Sequence, residues 1–241
     1  MSAPDDFFIG WAGRVPGPHR RMIGLAALAF VLGMLVISLG LARSIDDAGD
    51  GGGDWAAGEQ SFTGYVSTLP YPLLRMPNGH TMMLTAVGKY PAPVPAAWEG
   101  RQISTTGWVV RRGALEMLQI TKPVVLIESE AVTATVARLG RWRLTGEICD
   151  GQCYAGLMRP GTGLAHRACA VFCLAGEVPP VFVTTAPVEG RSFLLMATAG
   201  GGPVGREMTD LVGLRVRIDG DVERHGDLLV FKADFASAVV P

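Results

Sequence analysis

The four cysteines of the chain lie within 25 residues of one another, in the spacing C-x3-C-x15-C-x3-C. They are Cys149, Cys153, Cys169 and Cys173. His166 precedes Cys169 by three residues, so a helix over residues 164–174 would place His166, Cys169 and Cys173 on one face. Thiolate and imidazole groups bind zinc, and thiols outside the cytoplasm form disulfides. The segment therefore predicts a metal site or a disulfide-linked loop.

Three interpretations of the segment remain open. Two disulfides would connect a loop that has little core of its own. A tetrahedral metal site, with zinc as the candidate ion, would take Cys153, Cys169 and Cys173, with Cys149 or His166 as the fourth ligand. A cofactor or redox role would add Met158 or His166 as a further ligand.

The rest of the sequence supplies no catalytic constellation. It contains no C-x-x-C-H motif, no P-loop and no G-x-S-x-G motif, so we do not expect an enzyme. Glu147 and Asp150 flank the first cysteine, and we expect them to accept backbone hydrogen bonds rather than to act as a catalytic pair.

An internal repeat indicates which elements position these residues. Residues 98–120 align with residues 211–233 without a gap, at an offset of 113, so that Gly107 matches Gly220 and Val109 matches Val222. Upstream, residues 82–84 match residues 193–195, and Gly64 matches Gly146. Alternating apolar residues, glycines at bends and tight hairpins are typical of small barrels that resemble the OB-fold. The second copy differs from the first by the cysteine segment, which is an insertion.

The predicted fold class is therefore mainly β, with one transmembrane helix and two tandem OB-like barrels, the second carrying a Cys-rich, partly helical insertion. The predicted boundaries are a cytoplasmic tail (1–21), a transmembrane helix (22–43), a flexible linker (44–60), barrel 1 (61–130), a connector (131–140) and barrel 2 (141–241) with the insertion (149–180).

The membrane helix explains much of a composition that is 49% hydrophobic and only 18% charged. Arg20 and Arg21 precede the apolar run, and residues 44–60 contain five acidic residues and no Lys or Arg. The positive-inside rule places residues 1–21 in the cytoplasm and the bulk of the chain in the periplasm. A cleaved signal peptide is the alternative, although the run is longer than signal h-regions. The net charge of −1 and the scarcity of basic clusters argue against nucleic-acid binding.

Two N-terminal features predict docking to other membrane subunits. Small residues form a stripe along the helix at Ala26, Ala29, Gly33 and Gly40. The tail contains aromatic residues at Phe7, Phe8 and Trp11, which would either dock on a neighbouring subunit or lie at the membrane interface.

The tail and the insertion resemble a little-characterised bacterial family of membrane-anchored periplasmic proteins. The resemblance is carried by residues 5–11 and by the pattern GEIxDxxCYxGxM…HRxCAxxC over residues 146–173. It implies that Cys153, His166, Cys169 and Cys173 form the central set, because an aliphatic residue is expected at the position of Cys149. That set favours a metal or cofactor site, or one disulfide plus a free thiol, over two structural disulfides. It also implies an accessory subunit of a respiratory or other electron-transfer complex in the inner membrane. The alternative is a stand-alone periplasmic protein that handles metal or haem.

Overall fold

The structure, a computed structural model, describes residues 17–46, 54–56 and 58–241. It divides into an N-terminal unit that contains helix α1 (Gly17–Asp46) and a second unit, Gly52–Pro241. Within α1, the 25-residue span His19–Arg43 contains an 18-residue window with a mean hydropathy of 2.6, and it is long and apolar enough to cross a membrane. The helix extends beyond the predicted range 22–43 at both ends.

The predicted docking residues divide between described and undescribed parts of the chain. Ala26, Ala29, Gly33 and Gly40 lie on α1 and are exposed. Phe7, Phe8 and Trp11 lie outside the described residues.

Barrel 1 contains seven strands, of which five form a closed ring and two short ones pair with a strand of that ring. Its elements are β1 (Asp54–Trp55), β2 (Gln60–Ser67), β3 (Leu73–Arg75), β4 (Thr81–Ala86), β5 (Gln102–Arg112), β6 (Leu115–Ile120) and β7 (Val125–Leu126). Strands β2, β3 and β4 pair antiparallel, β4 pairs parallel with β6, and β5 closes the ring by pairing antiparallel with β6 and β2. Along most of β5, buried residues alternate with partly exposed ones, because every second side chain points into the barrel.

Barrel 2 repeats this connectivity. Its strands are β8 (Val136–Asp150), β9 (Pro180–Val188), β10 (Arg191–Thr198), β11 (Arg215–His225) and β12 (Leu228–Val239). The order β10-β12-β11-β8-β9 forms a closed barrel in which β10 and β12 are the parallel pair. The prediction of a mainly β protein with two tandem barrels is therefore confirmed.

The strand registers confirm the alignment at an offset of 113. Gly107 pairs with Ile120, and Gly220 pairs with Ala233 at the equivalent positions. Neither glycine tolerates a side chain, because a Cβ would overlap the carbonyl oxygen of Gln119 or of Lys232.

The alignment of residues 82–84 with residues 193–195 was wrong by one residue. In the parallel pairs, Met83 faces Met117 and Leu195 faces Val230, so Met83 is equivalent to Leu195. The pairing of β9 with β10 shifts register between Arg191 and Phe193, which adds one residue at the start of β10.

The two barrels pack against each other through a shared apolar core. Equivalent positions of the two repeats meet there, since Leu73 and Met83 of barrel 1 and Val181 and Leu195 of barrel 2 belong to one buried cluster. Each barrel also has its own interior core.

A polar clamp adjoins this interface. His80, in the turn before β4, contacts Asp227 of barrel 2 through Nδ1 and Glu116 of barrel 1 through Nε2, each at 2.8 Å. The backbone N–H of Thr81 also donates to Asp227. The turn of one barrel is thus bound to a hairpin of the other.

Three predicted boundaries need correction. The linker 44–60 was too long, because Asp54 and Trp55 form β1 and pair with β5. The connector 131–140 overlaps β8, which begins at Val136. The first half of β8 is largely exposed, so the sequence there lacks the apolar alternation that would have marked a strand. The insertion lies between Asp150 and Pro180, so that Cys149 belongs to β8.

Candidate metal site

The insertion leaves barrel 2 at the end of β8 and returns at the start of β9. Its base is closed by a hydrogen bond from the N–H of Gly151 to the carbonyl of Pro179. It contains one π-helical turn, Cys153–Leu157, and helix α2 (Arg167–Ala175). The predicted helix 164–174 is thus shorter at its start, and His166 occupies the N-cap position. In barrel 1 the same connection runs only from Ser67 to Leu73.

The turn and α2 bring three thiols together. The Sγ of Cys153 is 4.0 Å from the Sγ of Cys169 and 4.0 Å from that of Cys173. One ring nitrogen of His166 lies within 4.8 Å of the sulfurs of Cys153 and Cys169. We call Cys153, His166, Cys169 and Cys173 the thiol site. The structure therefore places His166, Cys169 and Cys173 of the predicted central set around Cys153, in two overlapping groups.

The thioether of Met158 extends the thiol site toward solvent. Its Sδ is 3.4 Å from the Sγ of Cys169. Cys153 and Cys173 are buried, Cys169 is partly exposed and Met158 is 47% exposed. The sulfurs thus form a series from the interior to the surface, and the predicted accessory ligand stands at its outer end.

Asp150 is fully buried and contacts two residues of the thiol site. Its Oδ1 accepts the backbone N–H of Cys153 at 2.8 Å, and its Oδ2 is 3.0 Å from Nε2 of His166. A carboxylate only accepts, so Nε2 carries the proton and Nδ1 is the ring nitrogen free to bind an ion. The carboxylate–histidine pair is the arrangement that commonly orients histidine ligands of metals.

The thiols of the site differ in acidity. The hydrogen bond from Cys153 lowers the pKa of Cys173, and the ammonium of Lys89 acts in the same direction, although burial and Asp150 oppose them. The same hydrogen bond, burial and the Asp150 carboxylate raise the pKa of Cys153. The first thiolate of the buried pair therefore forms at Cys173.

Cys149 does not join the thiol site, so its inclusion in the predicted ligand or disulfide set was wrong. It is buried in the core between the barrels, and its thiol donates to Glu147 at 3.3 Å. Burial, followed by the nearby carboxylate of Glu147, raises the pKa of its thiol. Cys149 lies on a strand, where it is equivalent to Ser67, and therefore faces the interface instead of the loop.

Two of the sulfur separations, both from Cys153, are closer to the spacing around a metal ion than to that of a disulfide. A disulfide holds its sulfurs about 2.05 Å apart. Two thiolates bound tetrahedrally to one zinc ion, each about 2.3 Å away, lie roughly 3.8 Å apart. The observed 4.0 Å is close to the second value, and all four cysteines are free in the structure. Two structural disulfides would require Cys149, which lies elsewhere.

Sequence reasoning missed two residues around the site and one contact of a third. Lys89 comes from a loop of barrel 1, and its Nζ is 3.4 Å from Cys169. Gln152 is buried and donates to the hydroxyl of Thr85 at 2.7 Å, which ties the insertion to barrel 1. Asp150 was expected to accept a backbone hydrogen bond, which is confirmed, but its contact with His166 was not foreseen.

The opposite side of α2 faces a cavity of about 870 Å³. Val171, Leu174 and Ala175 of α2 line it together with mostly apolar residues from both barrels. No residue of the thiol site lines the cavity. Helix α2 therefore separates an apolar cavity from a polar, sulfur-rich site.

Comparison with protein-family models, with curated proteins and with solved structures finds no match to this chain.

Proposed function

We propose that this protein binds a thiophilic metal ion at the thiol site while α1 tethers it to a membrane. The observation that carries the proposal is the convergence of three thiols and one imidazole from two separate segments of the insertion. Three cysteines and one histidine are a common zinc ligand set, and thiolate sites also hold Cu(I).

The surroundings of the site support this function. Asp150 holds His166 in the tautomer that leaves Nδ1 free, which a purely structural histidine does not need. The thiol site and the neighbouring Asp150 form two overlapping groups of donor atoms. One contains Cys153, His166 and Cys169, and the other contains Cys153, Asp150 and Cys173. Cys153 therefore stands at the centre of the donors.

Metal content and thiol reactivity test the proposal. The full chain is purified in detergent under reducing conditions, and bound metal is counted per chain by mass spectrometry. We expect about one ion per chain in the wild type and in C149A, and almost none in C153A. Cys149 and Cys153 are a matched pair because both are 1% exposed.

Near-ultraviolet circular dichroism establishes that both variants are folded. Thiols are titrated before and after reduction. If the wild type holds no metal and binds none when zinc or Cu(I) is added, the metal proposal is wrong, and a lack of free thiols at the site would indicate disulfides instead.

The same proposal places α1 in a bacterial inner membrane as a retained anchor, with the N-terminus in the cytoplasm and Gly52–Pro241 in the periplasm. It is supported by Arg20 and Arg21 before the span and the acidic residues after it. Protease added to spheroplasts should degrade the bulk of the chain. The intact mass of the untreated protein should include residues 1–43, and their loss would show a cleaved signal peptide.

A second candidate function is an accessory subunit of a membrane electron-transfer complex. It is favoured by the exposed small residues along α1, and by the resemblance of the tail and insertion to oxidoreductase-associated proteins. In native electrophoresis in mild detergent, the wild type should migrate in a complex and G33L should not. G24L is the matched control, because Gly24 lies on the opposite face of the helix. A wild type that migrates as a lone monomer contradicts this candidate.

A further inference from the structure

The outer end of the thiol site combines two kinds of sulfur. Met158 Sδ lies 3.4 Å from Cys169 Sγ, and Cys169 Sγ lies 4.0 Å from Cys153 Sγ. A thioether is a neutral, soft donor that is absent from the usual ligands of zinc. Thiolates and thioethers together are the donors that select Cu(I).

We infer that Cys153, Cys169 and Met158 bind Cu(I) at the surface-facing end of the thiol site. The inference rests on the proposed function, because it names the ion for the same site. Zinc would use His166 and the three thiols, whereas Cu(I) would use Met158 in addition to two thiols. The two ions therefore depend on different side chains.

Lys89 supplies a positive charge at the outer end of the thiol site. The two thiolates of Cys153 and Cys169 with one Cu(I) carry a net charge of −1. Lys89 places an ammonium 3.4 Å from Cys169 Sγ, and the same ammonium lies 5.5 Å from the ring of Phe172. The ammonium of Lys89 therefore offsets part of the negative charge that the thiolates place in a partly buried site.

The exposed position of Met158 makes the ion exchangeable. Met158 is 47% exposed and Phe172 is 68% exposed, so an external ligand can reach the outer end of the site. In the exchange, the bond from Cu(I) to Met158 breaks while a bond to the incoming ligand forms. The bonds from Cu(I) to the two thiolates then break as further bonds to the incoming ligand form. Copper remains Cu(I) throughout, and the two thiolates take up protons from solvent when the ion leaves.

Competition with a coloured Cu(I) chelator tests the inference. The full chain in detergent, reduced and freed of metal, is titrated anaerobically against the Cu(I) complex of bicinchoninate, and zinc affinity is measured in parallel. We expect M158L to lose about tenfold or more in Cu(I) affinity and less than about twofold in zinc affinity. Leucine has nearly the volume of methionine, so the fold should be kept.

The control is M76L, because Met76 is a partly buried methionine that packs on the core of barrel 1. It should leave both affinities unchanged. X-ray absorption at the copper edge should show three sulfur neighbours in the wild type and two in M158L.

The outcomes separate this inference from the proposed function. If M158L lowers neither affinity, or lowers both equally, the inference is overturned and the metal site stands. If zinc binds and Cu(I) does not, only the inference is overturned. If neither ion binds, the proposed function fails as well.

Discussion

Replacing Asp150 with alanine removes the acceptor that holds the insertion to the end of β8. Two buried donors then lose their partner, the backbone N–H of Cys153 at 2.8 Å and Nε2 of His166 at 3.0 Å. Each donor left without a partner in the interior costs about 1–3 kcal/mol. Removing the buried carboxylate also removes the cost of burying its charge, and this offsets part of the loss of stability. We therefore expect D150A to lower the free energy of unfolding by about 2–4 kcal/mol.

Asparagine at this position separates stability from metal binding. Its Oδ1 still accepts the N–H of Cys153, while its amide donates to Nε2 of His166, which moves the ring proton to Nδ1. We expect D150N to lose less than half as much stability as D150A. It should still bind zinc about tenfold or more weakly, because the ring nitrogen needed for the ion is protonated.

Urea unfolding of the metal-free full chain in detergent, followed by tryptophan fluorescence, measures both variants. At roughly 2 kcal/mol per molar urea, the D150A midpoint should fall by about 1–2 M. D234A is the control, since Asp234 forms an exposed ion pair with Arg141 at 3.5 Å that contributes about 0–1 kcal/mol. A D150A midpoint no lower than that of D234A would refute the role given to the buried carboxylate.

Two further predictions concern the barrels. Burial opposes protonation of His80, but hydrogen bonds to its two flanking carboxylates outweigh it and raise its pKa. The stability lost in H80Q should therefore be greatest below pH of about 6.5 and should vanish as the pH rises through the raised pKa, measured by urea unfolding at several pH values. A pH-independent loss contradicts this reasoning. G107A should lose about 2–4 kcal/mol in the same assay, because its Cβ overlaps the carbonyl of Gln119. G200A, whose Cβ meets only a hydroxyl at 3.9 Å, should change little; equal losses would be inconsistent with the overlap.

The barrels could be predicted because their determinants are local and occur twice. Gly107 and Gly220 mark the same strand position in each copy, and alternation along β5 and β11 gives the buried face. The bulge at the start of β10 could not be predicted, since nothing in residues 191–193 marks one extra residue.

The candidate site could be predicted only as far as its own segment extends. The spacing of His166, Cys169 and Cys173 was sufficient to place them on one side of α2. Lys89 reaches the site from a loop that precedes Cys169 by 80 residues, and only the packing of the two barrels brings it there. The prediction for Cys149 failed because its place in β8 depends on pairing with β9. The spacing of the cysteines contains no information about that pairing.

The packing of the barrels through equivalent positions has an evolutionary consequence. A face that meets its own counterpart is isologous, which is the geometry of a two-fold homodimer. A single-barrel ancestor with the face that now contains Leu73, Met83 and Leu115 would have associated with a second copy of itself through that face. Duplication and fusion of such a gene would make the partner permanent. The two copies could then diverge in sequence, so that one gained the cysteine-containing insertion while the other kept its short connection.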